Sequence, residues 1–254
     1  MTLDNLFNIQ NPEEKHQQLI DEGYCVIPDA LPSDFLKELR DEVNALLDSA
    51  KRPDEWKYQG SNLAVKPTEN PHVKKLLELE RIKKIMNTLG LGDFSFSTRN
   101  TFLENDGLFE GLATIISKDP HAPALYWHQD WQHWDDLMSI SPWPQKIFLA
   151  YYLNDTSIEN GCLKVIPGTH KKRIELHDKL TPAHYEGALF VEEDDIIMFS
   201  DQPEQIDVLV SAGTLVIGDA RMLHAARENQ TNVRRNMILI WAQRPNSIPD
   251  YWKE

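Results

Sequence analysis

Tyr126-Trp127-His128-Gln129-Asp130 places a histidine and a carboxylate two positions apart in an aromatic setting. On extended backbone both side chains point to the same face, because side-chain direction alternates along a strand. An imidazole nitrogen and a carboxylate oxygen that share a face can bind one divalent metal ion. The segment therefore predicts a strand that carries two metal ligands, His128 and Asp130.

His224 is the best candidate for a third ligand, because Arg235 follows it after a polar segment suited to a turn. We predict that residues 221–226 and 234–242 form an antiparallel hairpin that turns near Asn229-Gln230. In such a hairpin, positions 224 and 235 lie opposite each other, with Cβ atoms about 4.5–5.5 Å apart. Arg235 would then share a face with the metal ligand and could bind the far end of a chelating dicarboxylate.

The three predicted ligands, His128, Asp130 and His224, leave one side of a metal ion open. This facial arrangement suits Fe(II) in oxygenases, where the vacant positions take a cosubstrate and dioxygen. A structural zinc site more often uses cysteine, and Cys25 and Cys162 lack the spacing of metal ligands. The sequence therefore predicts a catalytic iron centre.

The composition limits the classes of partner. Lys plus Arg number 26 and Asp plus Glu 40, and the net charge of −14 gives no electrostatic basis for binding nucleic acid or an anionic membrane. Two cysteines argue against a disulfide framework, and the N-terminal residues lack the features of a signal peptide. No run approaches the roughly 20 apolar residues that cross a bilayer. We expect a cytoplasmic protein that acts on a small molecule, and the sequence does not indicate its oligomeric state.

The chain divides into a helical first third and a β-rich remainder. Helices are predicted for residues 12–22, from Ser33 onward, and from Asn70 to Gly90, with a short strand at 24–27. Short extended runs separated by Gly, Pro and Asn follow, which favours a sandwich or barrel over a βαβ array. These runs are 94–103, 112–117, 146–153, 162–166, 196–199, 206–209, 214–217, 223–226 and 236–242.

No linker divides the chain, so we expect one domain over residues 1–254. Within it, a helical flank would cover about residues 1–92 and a β core about residues 93–246.

Further segments complete a family pattern. Asn160-Gly161-Cys162-Leu163 runs into Val165-Ile166-Pro167-Gly168-Thr169-His170-Lys171, and His224 is followed by Arg235. Together with Trp127-His128-Gln129-Asp130, these segments resemble the phytanoyl-CoA dioxygenase family of Fe(II)/2-oxoglutarate oxygenases over about residues 94–244. The glycines and the proline of the 160–171 segment suit tight turns, and we interpret this segment, including His170, as structural.

The resemblance implies a mainly β fold, with a double-stranded β-helix (jelly roll, cupin-like) core and flanking N-terminal α-helices. It implies Fe(II) bound by His128, Asp130 and His224, 2-oxoglutarate held by Arg235, and O2 as the oxidant. It also implies hydroxylation of an unactivated C–H bond, with release of succinate and CO2. Halogenating relatives replace the carboxylate with a small residue, so Asp130 favours hydroxylation.

The aromatic residues around the His-x-Asp pair resemble the ectoine hydroxylase branch of the family, in which an aromatic residue borders the substrate. Trp131 and Trp134 are therefore candidates for the substrate pocket, and packing in the core is the alternative. Where many members carry a small hydroxyl residue two positions after the distal histidine, this chain has Ala226. A second hydrogen bond to the cosubstrate is then absent or comes from another residue. Asp219 and Arg221 could line the same pocket or pair with each other.

The substrate and the type of enzyme stay open at this level. A small, polar or zwitterionic metabolite is favoured, and an acyl-CoA is the family's namesake alternative, for whose phosphates the acidic chain offers no basic patch. A metal-dependent cupin-type enzyme that does not use 2-oxoglutarate would more often carry a His-x-His pair plus glutamate. A binding module without turnover would usually lack one of the ligands.

Overall fold

The computed structural model describes residues 8–50, 61–66, 69–96, 99–104, 107–110, 113–131, 137–180 and 196–244. Its helices are α1 (Pro12–Glu22), α2 (Ser33–Ser49), α3 (Pro71–Glu78), α4 (Glu80–Thr88), α5 (Glu175–Lys179) and α6 (Ile196–Phe199), with a 3-10 turn at Leu137–Ile140. The first strands are β1 (Tyr24–Ile27), β2 (Ser61–Val65), β3 (Ser95–Phe96), β4 (Arg99–Glu104), β5 (Gly107–Glu110), β6 (Ala113–Lys118) and β7 (Leu125–His128). The later strands are β8 (Lys146–Tyr152), β9 (Leu163–Val165), β10 (Ile206–Val208), β11 (Leu215–Asp219), β12 (His224–Ala226) and β13 (Arg235–Gln243).

Two antiparallel sheets form the β core. The larger sheet has seven strands, in the order β1-β11-β8-β13-β6-β2 with β3 paired to the end of β13. The smaller sheet has four strands, in the order β10-β9-β12-β7, and β4 and β5 pair separately. Most neighbouring strands in the two larger sheets are distant in sequence, which indicates long crossing connections rather than a series of hairpins. The predicted jelly-roll core is confirmed.

The two sheets enclose a buried apolar interior. Phe148 and Leu239 of the larger sheet share one cluster with Leu163 and Val165 of the smaller sheet. Ile238, next to Leu239 on β13, belongs instead to the core on the outer face of the larger sheet. This alternation follows from the two-residue period of a strand, and it places the larger sheet between the two cores.

Helices cover the outer face of the larger sheet. Leu39 of α2, Leu76 of α3 and Ile82 of α4 share one buried cluster with Leu149 and Ile238 of the sheet. Burying a side chain of this size contributes about 1.5–3 kcal/mol. The helices of the first third therefore support the larger sheet.

The ends of the helices follow from local sequence. Pro12 occupies the first turn of α1, where a missing N–H costs nothing. Gly23 ends α1 in the left-handed region at φ 89°, and its N–H donates to Leu19 O over 3.1 Å. The single helix predicted from Asn70 to Gly90 is wrong: Leu79, at φ −59° and ψ 120°, leaves the helical region and separates α3 from α4. The buried side chain of Leu79 explains why an apolar pattern runs unbroken across this break.

The N-terminal part of the chain also contributes strands to the larger sheet. β1 pairs with β11 at one edge, and β2 pairs with β6 at the opposite edge. Sequence reasoning predicted β1 but missed β2. The region predicted as a helical flank therefore supplies both edge strands of the sheet that it covers.

Two sequence predictions in the β region are wrong. Residues 196–199, predicted as a strand, form the short helix α6, because a run of four apolar residues fits a helical turn as well as a strand. The predicted hairpin of residues 221–226 and 234–242 does not form. β12 pairs with β7 and β9 in the smaller sheet, whereas β13 pairs with β8 and β6 in the larger one.

The polar segment between β12 and β13 is thus a crossing from one sheet to the other. Asn229 holds it, since its side-chain amide donates to Lys118 O, Asp119 O and Val233 O. Among the described helices, none has the length and apolar character needed to cross a lipid bilayer.

Candidate metal centre

Strand pairing brings His128 and His224 together. β7 ends at His128, β12 begins at His224, and the two residues are partners in the antiparallel register between these strands. Their ring centroids lie 4.1 Å apart. The smaller sheet therefore fixes the spacing of two of the predicted ligands.

Asp130 approaches the two histidines from beyond the end of the strand. It lies in a bend after β7, so the alternation along one strand that predicted its direction does not apply to it. Its Oδ1 is 4.0 Å from His128 Nε2. One donor atom from each of the three residues lies within 4.8 Å of the other two. This geometry can hold a single metal ion.

Backbone carbonyls orient both imidazoles. His128 Nδ1 donates to Tyr126 O over 2.9 Å, and His224 Nδ1 donates to Met222 O over 3.0 Å. A carbonyl only accepts, so the proton sits on Nδ1 in each ring and Nε2 keeps its lone pair. Metal-binding histidines usually donate their other N–H to such a partner. The donor set therefore fits a metal ion bound through the two Nε2 atoms.

The two oxygens of Asp130 have different surroundings. Trp241 Nε1 donates to Oδ2 over 2.7 Å, while Oδ1 faces the histidines. Burial works to raise the pKa of this carboxyl, but His224, His128, Lys146 and the Trp241 hydrogen bond together outweigh burial and lower the pKa below its usual value. Asp130 is therefore ionised at neutral pH, with one oxygen available to a metal ion.

Arg235 lies in the interior with most of its donors unused. The residue is 2% exposed, and its Nη2 donates to Gly161 O over 2.5 Å. Its Cζ lies 5.7 Å from the centre of the Tyr152 ring. Within the part of the chain that the structure describes, Nε and Nη1 have no hydrogen-bond partner. A buried guanidinium with unused donors is costly unless an anion binds it, so Arg235 is suited to hold a carboxylate.

Lys118 is a second buried cation beside Arg235, and sequence reasoning missed it. The two residues are partners across the β6–β13 pairing, and Lys118 is 1% exposed. Its Nζ donates to Pro123 O. Burial and, to a smaller extent, the Arg235 charge lower the pKa of Lys118 to about 7, although Glu228 acts in the opposite direction. In the sequence, Lys118 is only a lysine at the end of an apolar run. The pairing of β6 with β13 is what shows that it lies beside Arg235.

The structure describes one of the two predicted pocket residues, Trp131. Trp131 is half-buried, and its backbone N–H donates to Ala220 O over 2.8 Å, which ties it to the turn before β12. Trp134 lies outside the described residues. Ala226 pairs with Leu163 in the smaller sheet and offers no hydroxyl group there, as its sequence position indicated.

Asp219 and Arg221 pair with each other. Arg221 Nε donates to Asp219 Oδ1 over 2.9 Å, and Nη2 donates to Oδ2 over 2.6 Å. Nη1 of the same arginine donates to Ser139 O and Ser141 O, over 2.8 and 2.9 Å. The pair therefore anchors the segment around Ser139 to the turn that leads to His224.

His170 contacts the N-terminal helix rather than the three predicted ligands. Its Nε2 lies 2.9 Å from Ile20 O. A Cβ on Gly23 would lie 2.6 Å from His170 Nδ1, so the ring packs directly against this glycine. These contacts agree with the structural role predicted for the 160–171 segment.

Sequence comparisons find relatives that match most of this chain. The family model described as phytanoyl-CoA dioxygenase (PhyH) matches residues 20–237. The chain is 23% identical over 242 residues to a probable alpha-ketoglutarate-dependent hypophosphite dioxygenase of Stutzerimonas stutzeri, and the match covers 89% of this chain and 77% of that protein. It is 22% identical over 234 residues to the ectoine dioxygenase of Halomonas elongata, a match that covers 89% of this chain and 68% of that protein.

Solved structures share the fold. EctD from S. alaskensis with 2-oxoglutarate and 5-hydroxyectoine superposes with a TM-score of 0.62 at 16% identity, over 93% of this chain and 78% of that one. HygX from Streptomyces hygroscopicus with nickel and 2-oxoglutarate gives a TM-score of 0.65 at 17% identity, over 91% of this chain and 86% of that one.

Proposed function

Because the chain belongs to the phytanoyl-CoA dioxygenase family, we propose that His128, Asp130 and His224 bind its Fe(II) and that Arg235 binds its 2-oxoglutarate. The protein is an Fe(II)/2-oxoglutarate-dependent oxygenase. We propose further that it hydroxylates an unactivated C–H bond of a small, polar metabolite and releases succinate and CO2.

The observation that carries the proposal is the combination of the three donor atoms with a buried, underused guanidinium. The donors of His128, Asp130 and His224 converge within 4.8 Å. Arg235 faces the same interior, and its Nε and Nη1 have no partner among the described residues. A ligand that chelates a metal at one end and carries a carboxylate at the other satisfies both features.

Each residue has a separate task in this proposal. His128, Asp130 and His224 would hold the ion from one side, which would leave positions for the cosubstrate and dioxygen. When bound, Fe(II) with 2-oxoglutarate and O2 supplies the oxidising chemistry. Arg235 orients the diacid through the carboxylate remote from the ion. The buried apolar interior around it, with Phe148 and Leu239, keeps water away from the reacting groups.

A small polar substrate is supported by the overall charge and by the relatives. The net charge of −14 disfavours a polyanionic acyl-CoA. Two of the relatives are named for ectoine and hypophosphite, which are both small polar molecules. We propose Trp131, and Trp134 of the same segment, as residues that border the substrate, because an indole can pack against an apolar body or a cationic group.

Succinate release tests the catalytic assignment. The purified protein with Fe(II), ascorbate and 2-oxoglutarate should release succinate slowly without substrate, and Asp130→Ala should abolish this release. Asp93→Ala is a matched control, because the Asp93 side chain is 56% exposed and pairs with Arg244. Turnover that survives in Asp130→Ala refutes the assignment of the ligands.

Thermal unfolding tests metal binding without any turnover. Co(II) or Mn(II) should raise the midpoint of unfolding, because a ligand that binds only the folded state stabilises it, and EDTA should reverse the increase. The increase should be absent in His224→Ala and Asp130→Ala. An equal metal-induced increase in parent and variants contradicts the proposed site.

A substrate screen tests the finer proposal. Acceleration of succinate release should be found among small zwitterions, amino acids and small oxyanions. Acceleration by acyl-CoAs alone would instead identify the protein as an acyl-CoA hydroxylase.

A further inference from the structure

Asp130 needs a positioning contact, because strand pairing does not hold it. The two histidines belong to β7 and β12, whose register fixes them. Asp130 lies beyond the end of β7, in a bend. The next residue, Trp131, is held through its backbone N–H by Ala220 O, which restrains the chain but leaves the carboxylate free to rotate.

Trp241 supplies the contact that fixes the carboxylate. It lies on the inward face of β13, the strand that begins with Arg235, and it is 8% exposed. Its Nε1 donates to Asp130 Oδ2 over 2.7 Å, a short hydrogen bond to a charged acceptor. An indole N–H only donates, so this contact favours the ionised carboxylate, in which both oxygens accept. One strand therefore carries both the predicted cosubstrate anchor and the partner of a predicted metal ligand.

We propose that Trp241 is a positioning residue that keeps Asp130 a one-oxygen ligand of the metal, with Oδ1 toward the ion and Oδ2 held away from it. This inference rests on the proposed function of His128, Asp130 and His224. It goes beyond it by assigning a role to a residue outside the ligand set.

The number of coordination positions makes this role important. A facial triad uses three positions of an octahedral ion, and a chelating cosubstrate with dioxygen needs the other three. A carboxylate that bound through both oxygens would take one of these positions. The hydrogen bond from Trp241 occupies Oδ2 and so keeps the position open. Partners of this kind typically change metal affinity or activity by about 10–100-fold when they are removed.

Trp241→Phe tests the role, because phenylalanine keeps an aromatic ring and removes the N–H donor. In this variant the Asp130 carboxylate is free to bind the metal through both oxygens. We therefore expect the affinity for Co(II) to change by about 10-fold or more. The visible absorption spectrum of the Co(II) protein should change as well. Unchanged Co(II) affinity and an unchanged spectrum overturn the inference.

Trp143→Phe is the matched control. It makes the same truncation in a ring that packs with His16 and Arg244 on the outer face, and the buried Trp143 Nε1 has no hydrogen-bond partner among the described residues. This variant should bind Co(II) as the parent does. If it changes the Co(II) spectrum as much as Trp241→Phe does, then loss of the hydrogen bond is not the cause and the inference is wrong.

A measurement on the unaltered protein avoids any dependence on the folding of the variant. The Trp241 indole N–H should keep a hydrogen-bonded proton chemical shift and slow exchange with water when Zn(II) is added. A shift to the position of a free indole on metal binding would mean that Oδ2 has turned to the ion, which contradicts the inference. If the parent binds no metal at all, the proposed function itself fails, so the two failures are distinguishable.

Discussion

Arg235 and Lys118 face each other across the β13–β6 pairing, and both side chains are almost completely buried. Each makes a hydrogen bond to a backbone carbonyl, Arg235 to Gly161 O and Lys118 to Pro123 O. Within the described residues, the one carboxylate that acts on either cation is Glu228, which works to raise the pKa of Lys118 but does not outweigh burial. Two adjacent buried cations stabilise the protein only when an anion is bound between or beside them. Without a bound anion, these two buried charges therefore lower the free energy of unfolding of the protein.

The first prediction concerns the pH dependence of stability. The pKa of Lys118 is lowered to about 7 by burial and by Arg235, whereas an unfolded chain holds this proton up to about pH 10. Between these values the unfolded state binds more protons than the folded state. The contribution of Lys118 to the free energy of unfolding therefore rises with pH in this window, at up to about 1.4 kcal/mol per unit.

Lys118→Met isolates this contribution from other groups that titrate in the same range. Without 2-oxoglutarate, we expect the free energy of unfolding of the variant to exceed that of the parent at pH 7. This difference in free energy should narrow toward pH 10. Urea unfolding at a series of pH values measures it. A gap that does not depend on pH contradicts the buried charge. Added 2-oxoglutarate should stabilise the parent more than the variant.

The second prediction separates charge from geometry at Arg235. Arg235→Lys keeps a positive charge and loses the planar set of donors. Losing a hydrogen bond to a charged group costs about 1.5–3 kcal/mol, so 2-oxoglutarate should bind about 10–100-fold more weakly. Metal affinity should stay at the parent value, because no metal ligand is altered. Isothermal titration with 2-oxoglutarate and Mn(II) measures both quantities.

Arg234→Lys is the neighbouring control. Arg234 points away from the interior and pairs with Asp48 and Asp119 on the surface. We expect no change in 2-oxoglutarate affinity. Equal weakening by the two substitutions would show that Arg235 is not a specific anchor.

The sequence alone predicted which three residues meet at the candidate metal centre better than it predicted how they are brought together. His128, Asp130 and His224 were identified because a local pair and a family pattern point to the same residues. The structure does bring them together, but by a different route: His224 is paired with β7, and Arg235 lies on the opposite sheet. A polar segment between two strands looks the same in a hairpin and in a crossing between sheets, so spacing could not distinguish these two alternatives.

Residues that act through partners distant in sequence could not be predicted. Trp241 donates to a carboxylate 111 positions earlier in the chain. Lys118 can be recognised as a neighbour of Arg235 only when β6 is known to lie beside β13. In both cases the packing of segments that are distant in sequence decides the neighbour, and no local pattern carries that information.

The third prediction concerns Gly161, whose carbonyl accepts from Arg235. It lies at φ 86°, and a Cβ there would be 2.9 Å from Arg227 O, closer than a real Cβ approaches a backbone atom. Gly161→Ala should therefore destabilise the protein and weaken 2-oxoglutarate binding, because the carbonyl that orients Arg235 must shift. Urea unfolding and titration with 2-oxoglutarate measure the two effects.

Gly168→Ala provides the comparison. Gly168 has a similar φ of 80°, but the nearest atom to an added Cβ is 3.9 Å away. This variant should show only the cost of the left-handed backbone, about 1–2 kcal/mol, with unchanged 2-oxoglutarate affinity. If both variants weaken 2-oxoglutarate binding equally, the contact between Gly161 and Arg235 does not control the anchor.

The last prediction concerns the coupling between Asp219 and Arg221, whose side chains are 1% and 3% exposed. Removing one partner leaves a buried charge, so Asp219→Asn and Arg221→Met should each cost about 3–5 kcal/mol. The double variant should cost far less than the sum, because neither charge then remains. A double-mutant cycle in urea measures the coupling. The exposed pair of Asp21 and Lys171 should show almost no coupling in the same experiment, because water and salt screen charges at the surface. Additive costs at Asp219 and Arg221 would mean that their contact does not hold the turn before His224.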